Sequence, residues 1–129
     1  MSLFDLLFGK PLFGRTTVSR ESEDRIRLDW EKIRQLQKVA GPSNLKQALI
    51  TADRSLDTAL KDIVPGENMG ARLKEAKDKF DRDTYNKIWE AHKIRNNLVH
   101  ESSYEPPYFL INNGIEDLRK GLSALGVNI

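Results

Sequence analysis

The sequence predicts an all-α fold: an antiparallel bundle of four main helices, or five if a charged connector also coils, preceded by an N-terminal arm. Three observations predict it. From Ser19 onward apolar residues recur at spacings near 3.6. No segment alternates with period two over a useful length. Gly-Pro and Pro-Gly pairs cut the chain into helix-length pieces joined by short loops, which sets neighbouring helices side by side. At 129 residues the chain reads as one domain, residues 19–129, behind an apolar arm of residues 1–18. A domain of this size buries roughly two-thirds of the surface of its unfolded chain.

The arm, "MSLFDLLFGKPLFGRTTV", crowds Leu3, Phe4, Leu6, Leu7 and Phe8 together before Gly9, Pro11 and Gly14 interrupt any helix. It is expected to pack on the domain or on a dimer mate. The competing reading is a weak, reversible contact with a membrane surface, because its apolar residues are few. Ser19 or Ser22 can cap the first helix, whose Glu21, Glu23 and Asp24 suit the positive end of the helix dipole. Ile26, Trp30, Ile33 and Ala40 form its inner stripe, with Val39 beside them, and Gly41-Pro42 ends it. Ser43 is expected to cap the second helix. There Leu45, Ala48, Leu49, Ala52, Leu56, Ala59, Leu60 and Ile63 make a nearly unbroken apolar stripe as far as Pro65-Gly66. Residues 67–82 are densely charged and anchored by Leu73, Ala76 and Phe80, which suggests a short helix or helical connector. Asp83 is expected to cap a long helix from Thr84 to about Ser102, which Pro106-Pro107 stops. The last helix runs from about Tyr108 to Leu125, turns Ile111, Ile115, Leu118, Leu122 and Leu125 inward, and ends at Gly126.

Composition narrows the function. Without cysteine there is no disulfide, thiolate metal site or cysteine nucleophile, as suits a cytoplasmic protein. No apolar run approaches the roughly 18 residues of a membrane span. The net charge of +2 comes entirely from Lys10, Arg15 and Arg20 against Asp5, so residues 21–129 are formally neutral. A broad basic groove for nucleic acid is therefore absent from the body, and contact with RNA would need a small local site or a dimer surface.

The stretch "HKIRNNLVHE", residues 92–101, departs from the apolar pattern around it. On a helical wheel Tyr85, Ile88, Trp89 and Val99 occupy one arc, and Ala91, Ile94 and Leu98 the next. Arg95 falls between them, His92 and Asn96 lie within the first arc, and His100 sits at its edge. Polar groups on a core-facing arc are costly unless paired or wet. They form either a buried network that ties helices together or the lining of a cleft. Asn96 and His100, four residues apart, share a face. Arg95 and His100 are separated by about 140°, so a second chain or the length of the arginine is needed for them to meet on one ligand. His92 and His100 lie roughly 12 Å apart along the axis and cannot share an ion within one chain.

"RNNLVH", from Arg95 to His100, resembles the signature of the HEPN superfamily, small helical bundles with an arginine followed four to six residues later by a histidine. A polar residue commonly follows the arginine, as Asn96 does here, and the motif sits on a late helix before a final one. The order of elements matches over residues 20–125, and strict motif identity covers Arg95, Asn96 and His100. The resemblance implies a metal-independent endoribonuclease of toxin or RNA-processing type, needing no cofactor, with a composite site formed by two motif copies in a homodimer. It further implies an RNA substrate and, for a toxin, an antitoxin partner. Neutral His100 would take the proton of a ribose 2′-OH, Arg95 would hold the phosphate oxygens, and Asn96 would orient His100 or the scissile group. The products would be a 2′,3′-cyclic phosphate and a 5′-hydroxyl. His92, outside the motif spacing, is expected only to pack and hydrogen-bond in the bundle, so that His92→Gln keeps most activity. One toxin branch carries a tyrosine two residues after the motif histidine. Ser102 stands there in this chain and Tyr104 two residues later, which sets it apart from that branch. Many domains of this kind are not nucleases, and the second reading is a non-catalytic module that dimerises or binds a nucleotide or protein.

Overall fold

The structure, a computed structural model, describes residues 16–129. Five α-helices follow in order: α1 (Arg20–Val39), α2 (Pro42–Ile63), α3 (Met69–Glu75), α4 (Arg82–His100) and α5 (Tyr108–Ala124). A single 3-10 turn, Lys77–Lys79, separates α3 from α4, and no strand occurs among the described residues. The four long helices form the antiparallel bundle expected, and the charged connector supplies the fifth, short helix α3.

Helix boundaries follow local chemistry. Ser19 caps α1, its Oγ accepting the Ser22 amide at 3.1 Å. Ala40 at φ 63° and Gly41 at φ 90° then reverse the chain. Ser43 does not cap α2, contrary to expectation. Gly41 holds the cap position and Pro42 opens the helix, where its fixed φ fits and its missing N–H costs nothing. Asp81, rather than Asp83, caps α4 by accepting the Thr84 amide at 2.8 Å and the Thr84 hydroxyl at 3.0 Å. That helix stops at His100, two residues short of the expected end, with Glu101 as its C-cap.

The central helix is α2, which packs against α1 on one side and α5 on the other; α4 lies along α5 and touches α2. Ile26 and Ile33 of α1, Leu49, Leu56 and Leu60 of α2, Ile88 of α4 and Leu118 and Leu122 of α5 are all fully buried. Two glycines of α5 allow close approach. A Cβ on Gly121 would lie 2.8 Å from Ile88 Cδ1, and one on Gly114 would lie 3.2 Å from Leu49 Cδ1. Glycine inside a helix costs about 1 kcal/mol relative to alanine, and here it lets α5 seat against both neighbours. Leu73, Ala76 and Phe80 anchor the connector as expected. Val39 and Val99 differ from expectation. Each stands in the last turn of its helix and is largely exposed. At the junction with the arm, Val18 is buried and the Ser19 amide donates to Asp62 Oδ2 at 2.9 Å. The expectations for residues 1–15, packing or membrane contact, lie outside the described residues. No helix among the described residues is long and apolar enough to cross a membrane.

Candidate functional site

The polar face of α2 starts the site. Asp53 and Asp57 are four residues apart and so stand one above the other on one face. Asp53 is only 2% exposed, which requires compensation from neighbouring helices. It comes from α4. Nδ1 of buried His92 lies 3.0 and 3.2 Å from the two Asp53 oxygens. A carboxylate only accepts, so Nδ1 carries the hydrogen and donates it. Arg95 adds its charge, with Nε 3.7 Å from Asp53 Oδ2, beyond hydrogen-bond range. That Nε is enclosed and has no hydrogen-bond partner, while Nη1 of the same guanidinium donates to Asn96 Oδ1 at 2.9 Å. The Trp89 ring meets His92 edge-on at 5.9 Å and fixes the imidazole from the side.

The second carboxylate is served by α3. Asn68 caps this short helix, its Oδ1 accepting the Ala71 amide at 2.8 Å, and the turn that follows carries Arg72 back towards α2. Arg72 grips Asp57 with two parallel bonds, Nε to Oδ1 at 2.7 Å and Nη2 to Oδ2 at 2.8 Å. Its Nη1 donates to the Gly66 carbonyl at 2.6 Å. The hydrogen bonds and charge of Asp57 raise the Arg72 pKa above its ordinary value, against the opposing effect of burial. Gly66 has φ 154°, and a Cβ there would lie 2.8 Å from the Arg72 amide nitrogen, so only glycine fits beside the clamp.

Between these groups lies an open cleft of about 570 Å³, within the range of small-ligand pockets. Arg54, Arg72, Lys93 and Arg95 line it with Asp53 and Asp57. Arg72 is paired with Asp57, Arg54 with Asp29 at 3.0 Å, and Arg95 stands by Asp53. Lys93 is thus the lining cation with no carboxylate partner among the described residues, a small net positive charge that suits an anionic ligand. Among the described residues no three His, Asp or Glu side chains gather in a group that could hold a metal ion.

The structure therefore brings together two of the three residues singled out from the sequence. Arg95 and Asn96 are bonded neighbours, half-buried at the cleft. His100 ends α4, is exposed, and does not line that cleft. His92 packs and hydrogen-bonds inside the bundle, as expected. Sequence reasoning missed Asp53, Asp57 and Arg72. A signal for Asp53 was present, because it follows Leu49 by four and precedes Leu56 by three, which puts a charge on the inward stripe of α2. Comparison with protein-family models, with curated proteins and with solved structures gives no significant match.

Proposed function

We propose that this chain is a HEPN-like metal-independent endoribonuclease that works as a homodimer. The observation that carries the reading is the state of Arg95. Its guanidinium is steadied by Asn96 through Nη1 and by the charge of Asp53 beside the enclosed Nε, while Nη2 makes no hydrogen bond among the described residues and is the end left for a ligand at the cleft. A guanidinium binds phosphate oxygens through strong charge-assisted hydrogen bonds. In the proposed reaction neutral His100 removes the 2′-OH proton, the freed oxygen attacks the adjacent phosphorus, and Arg95 neutralises the charge that builds on the phosphoryl oxygens. The strand ends as a 2′,3′-cyclic phosphate and a 5′-hydroxyl. His100 stands outside the Arg95 cleft, so two copies of α4 are needed to complete a site, and self-association follows from the reading. A second reading draws on the same separation. A module that binds an anionic ligand without cleaving it needs the cleft alone, and the cleft is complete in one protomer.

Labelled RNA incubated with wild type, His100→Ala and Arg95→Lys separates the two. The nuclease reading expects EDTA-resistant cleavage with cyclic phosphate at the 3′ ends. It expects losses of about 10²–10⁴-fold in His100→Ala and a severe loss in Arg95→Lys, since an ammonium cannot reproduce the fork. Cleavage undiminished in His100→Ala, or a wild type that sediments only as monomer at micromolar concentration, overturns it. A folded dimer that binds RNA and cuts none supports the module instead.

A further inference from the structure

Cleavage of an RNA phosphodiester by its own 2′-oxygen involves two proton transfers, one from the 2′-OH and one to the departing 5′-oxygen. His100 accounts only for the first. We propose that His92, held by Asp53, performs the second as the general acid of the same site, an assignment that rests on the ribonuclease reading above.

Three observations carry it. The first is which nitrogen of the ring is free. Asp53 engages Nδ1 through both of its oxygens, so Nε2 is the nitrogen left to exchange a proton. Nε2 has no hydrogen-bond partner among the described residues, and it is not an enclosed atom, since Arg95 Nε is the one buried side-chain polar atom there without a partner. His92 lines the cleft with Arg95 and Asn96, and Nε2 is the ring nitrogen free of protein partners there. The second is position. His92 lines the Arg95 cleft and His100 stands outside it, so in the dimer of the reading above the phosphate held at Arg95 and Asn96 is met by His92 of the same protomer and by the motif histidine of its partner. A proton donor and a proton acceptor on opposite sides of the phosphorus are what an in-line displacement uses. The third is rigidity. Asp53 is almost fully buried and Trp89 flanks the ring, so the imidazole is fixed before any substrate arrives. A role confined to packing explains the bond to Asp53 but not why a ring whose second nitrogen has no protein partner lines the cleft beside Arg95. Apolar side chains of similar volume often replace a buried charged pair without loss of stability.

The step balances. The 2′-oxygen loses its proton to His100 and forms the new O–P bond. The P–O5′ bond breaks, its electron pair goes to O5′, and O5′ takes the proton from Nε2 of the His92 imidazolium. His92 is left neutral, still donating Nδ1–H to Asp53. Exchange with water returns a proton to His92 and removes the one on His100.

Leaving-group substitution tests this. An alkyl thiolate departs without protonation, so RNA with sulfur in place of the 5′-bridging oxygen at the scissile position has little need of a general acid. Wild type, His92→Gln, Asp53→Asn and His100→Ala are assayed on the ordinary and the sulfur-bridged strand, with folding checked by circular dichroism. Contrary to the expectation from sequence, under which His92→Gln keeps most activity, this variant is expected to lose about 10²–10⁴-fold on ordinary RNA and less than about tenfold on the sulfur-bridged strand. Asp53→Asn is expected to follow the same pattern more weakly, and it carries the test if His92→Gln does not fold. His100→Ala stays slow on both strands. A His92→Gln protein slowed equally on both, or slowed on neither, overturns the acid role and leaves the nuclease reading standing. A folded wild-type dimer that cuts neither strand overturns both.

Discussion

The two faces of α2 are built on opposite terms. Towards α1 and α5 it presents Leu49, Leu56 and Leu60, fully buried, and the polar groups among them are settled. Trp30 Nε1 donates to Ser55 Oγ at 2.9 Å, and Ser55 Oγ donates in turn to the Ala52 carbonyl at 2.7 Å. Towards α3 and α4 the same helix presents Asp53 and Asp57, held by His92, Arg95 and Arg72. The first face gains free energy by removing apolar surface from water. The second spends part of that gain on desolvating charges, whose mutual attraction seldom exceeds what apolar side chains would contribute in their place. The contrast separates two tasks: the apolar face accounts for the fold, and the charged face carries the groups of the proposed site.

The sharpest way to break that comparison is to weaken the apolar face. Leu56 of α2 is fully buried and its Cδ1 faces Gly121 of α5, so Leu56→Ala removes its transfer energy and leaves a cavity, a loss of about 3 kcal/mol. Urea unfolding measures it. A variant as stable as wild type would mean that the apolar face does not hold the fold. The clamp on the charged face should matter somewhat less. Arg72→Ala strips Asp57 of both its hydrogen bonds and the Gly66 carbonyl of one, at about 2 kcal/mol. Replacing the pair together, Asp57→Leu with Arg72→Met, should cost less than Arg72→Ala alone, because no unpaired charge remains. A double variant less stable than the single one would show that the ion pair itself is a net source of stability.

The apolar face was legible in the sequence and most of the charged face was not. Helical periodicity depends on one residue's neighbours along the chain, and Ile26, Trp30 and Ile33, or Ile111, Ile115 and Leu118, state it openly. The same reading anticipated α3 from Leu73, Ala76 and Phe80. Helix starts were harder, because competing cap residues such as Asp81 and Asp83 differ only in which one the preceding chain presents in an extended conformation. In the site, Arg95 and Asn96 are adjacent in sequence and their pairing was within reach. His92 and Asp53 are 39 residues apart, and Arg72 and Asp57 are 15 apart, so their meeting depends on how α2, α3 and α4 cross. Period alone does not contain that. The inward charge of Asp53 announced that a partner was needed without saying which one.

The smallest effect concerns a carboxylate on the far side of α4, and it sharpens the comparison by supplying a control. Asp117 of α5 is partly buried, and burial raises its pKa above the usual carboxylate value, against the pull of Lys87 and Lys120. Unlike Asp53 and Asp57 it has no hydrogen-bond partner among the described residues. A folded state that keeps this proton longer than the unfolded chain binds more protons once pH passes the ordinary carboxylate pKa, so the stability contribution is full below that value and is lost as pH rises through the raised one. Asp117→Asn should therefore match wild type in acid and exceed it slightly near neutral pH. Because the group is mostly open to solvent, the gain should stay below about 0.5 kcal/mol. Urea midpoints across the acidic range, compared between the two proteins, measure it. A variant less stable than wild type at neutral pH would mean that attraction to Lys87 and Lys120 outweighs desolvation. A bare carboxylate near the core would then be tolerable here, and the partners gathered around Asp53 and Asp57 would be weaker evidence for a functional cleft.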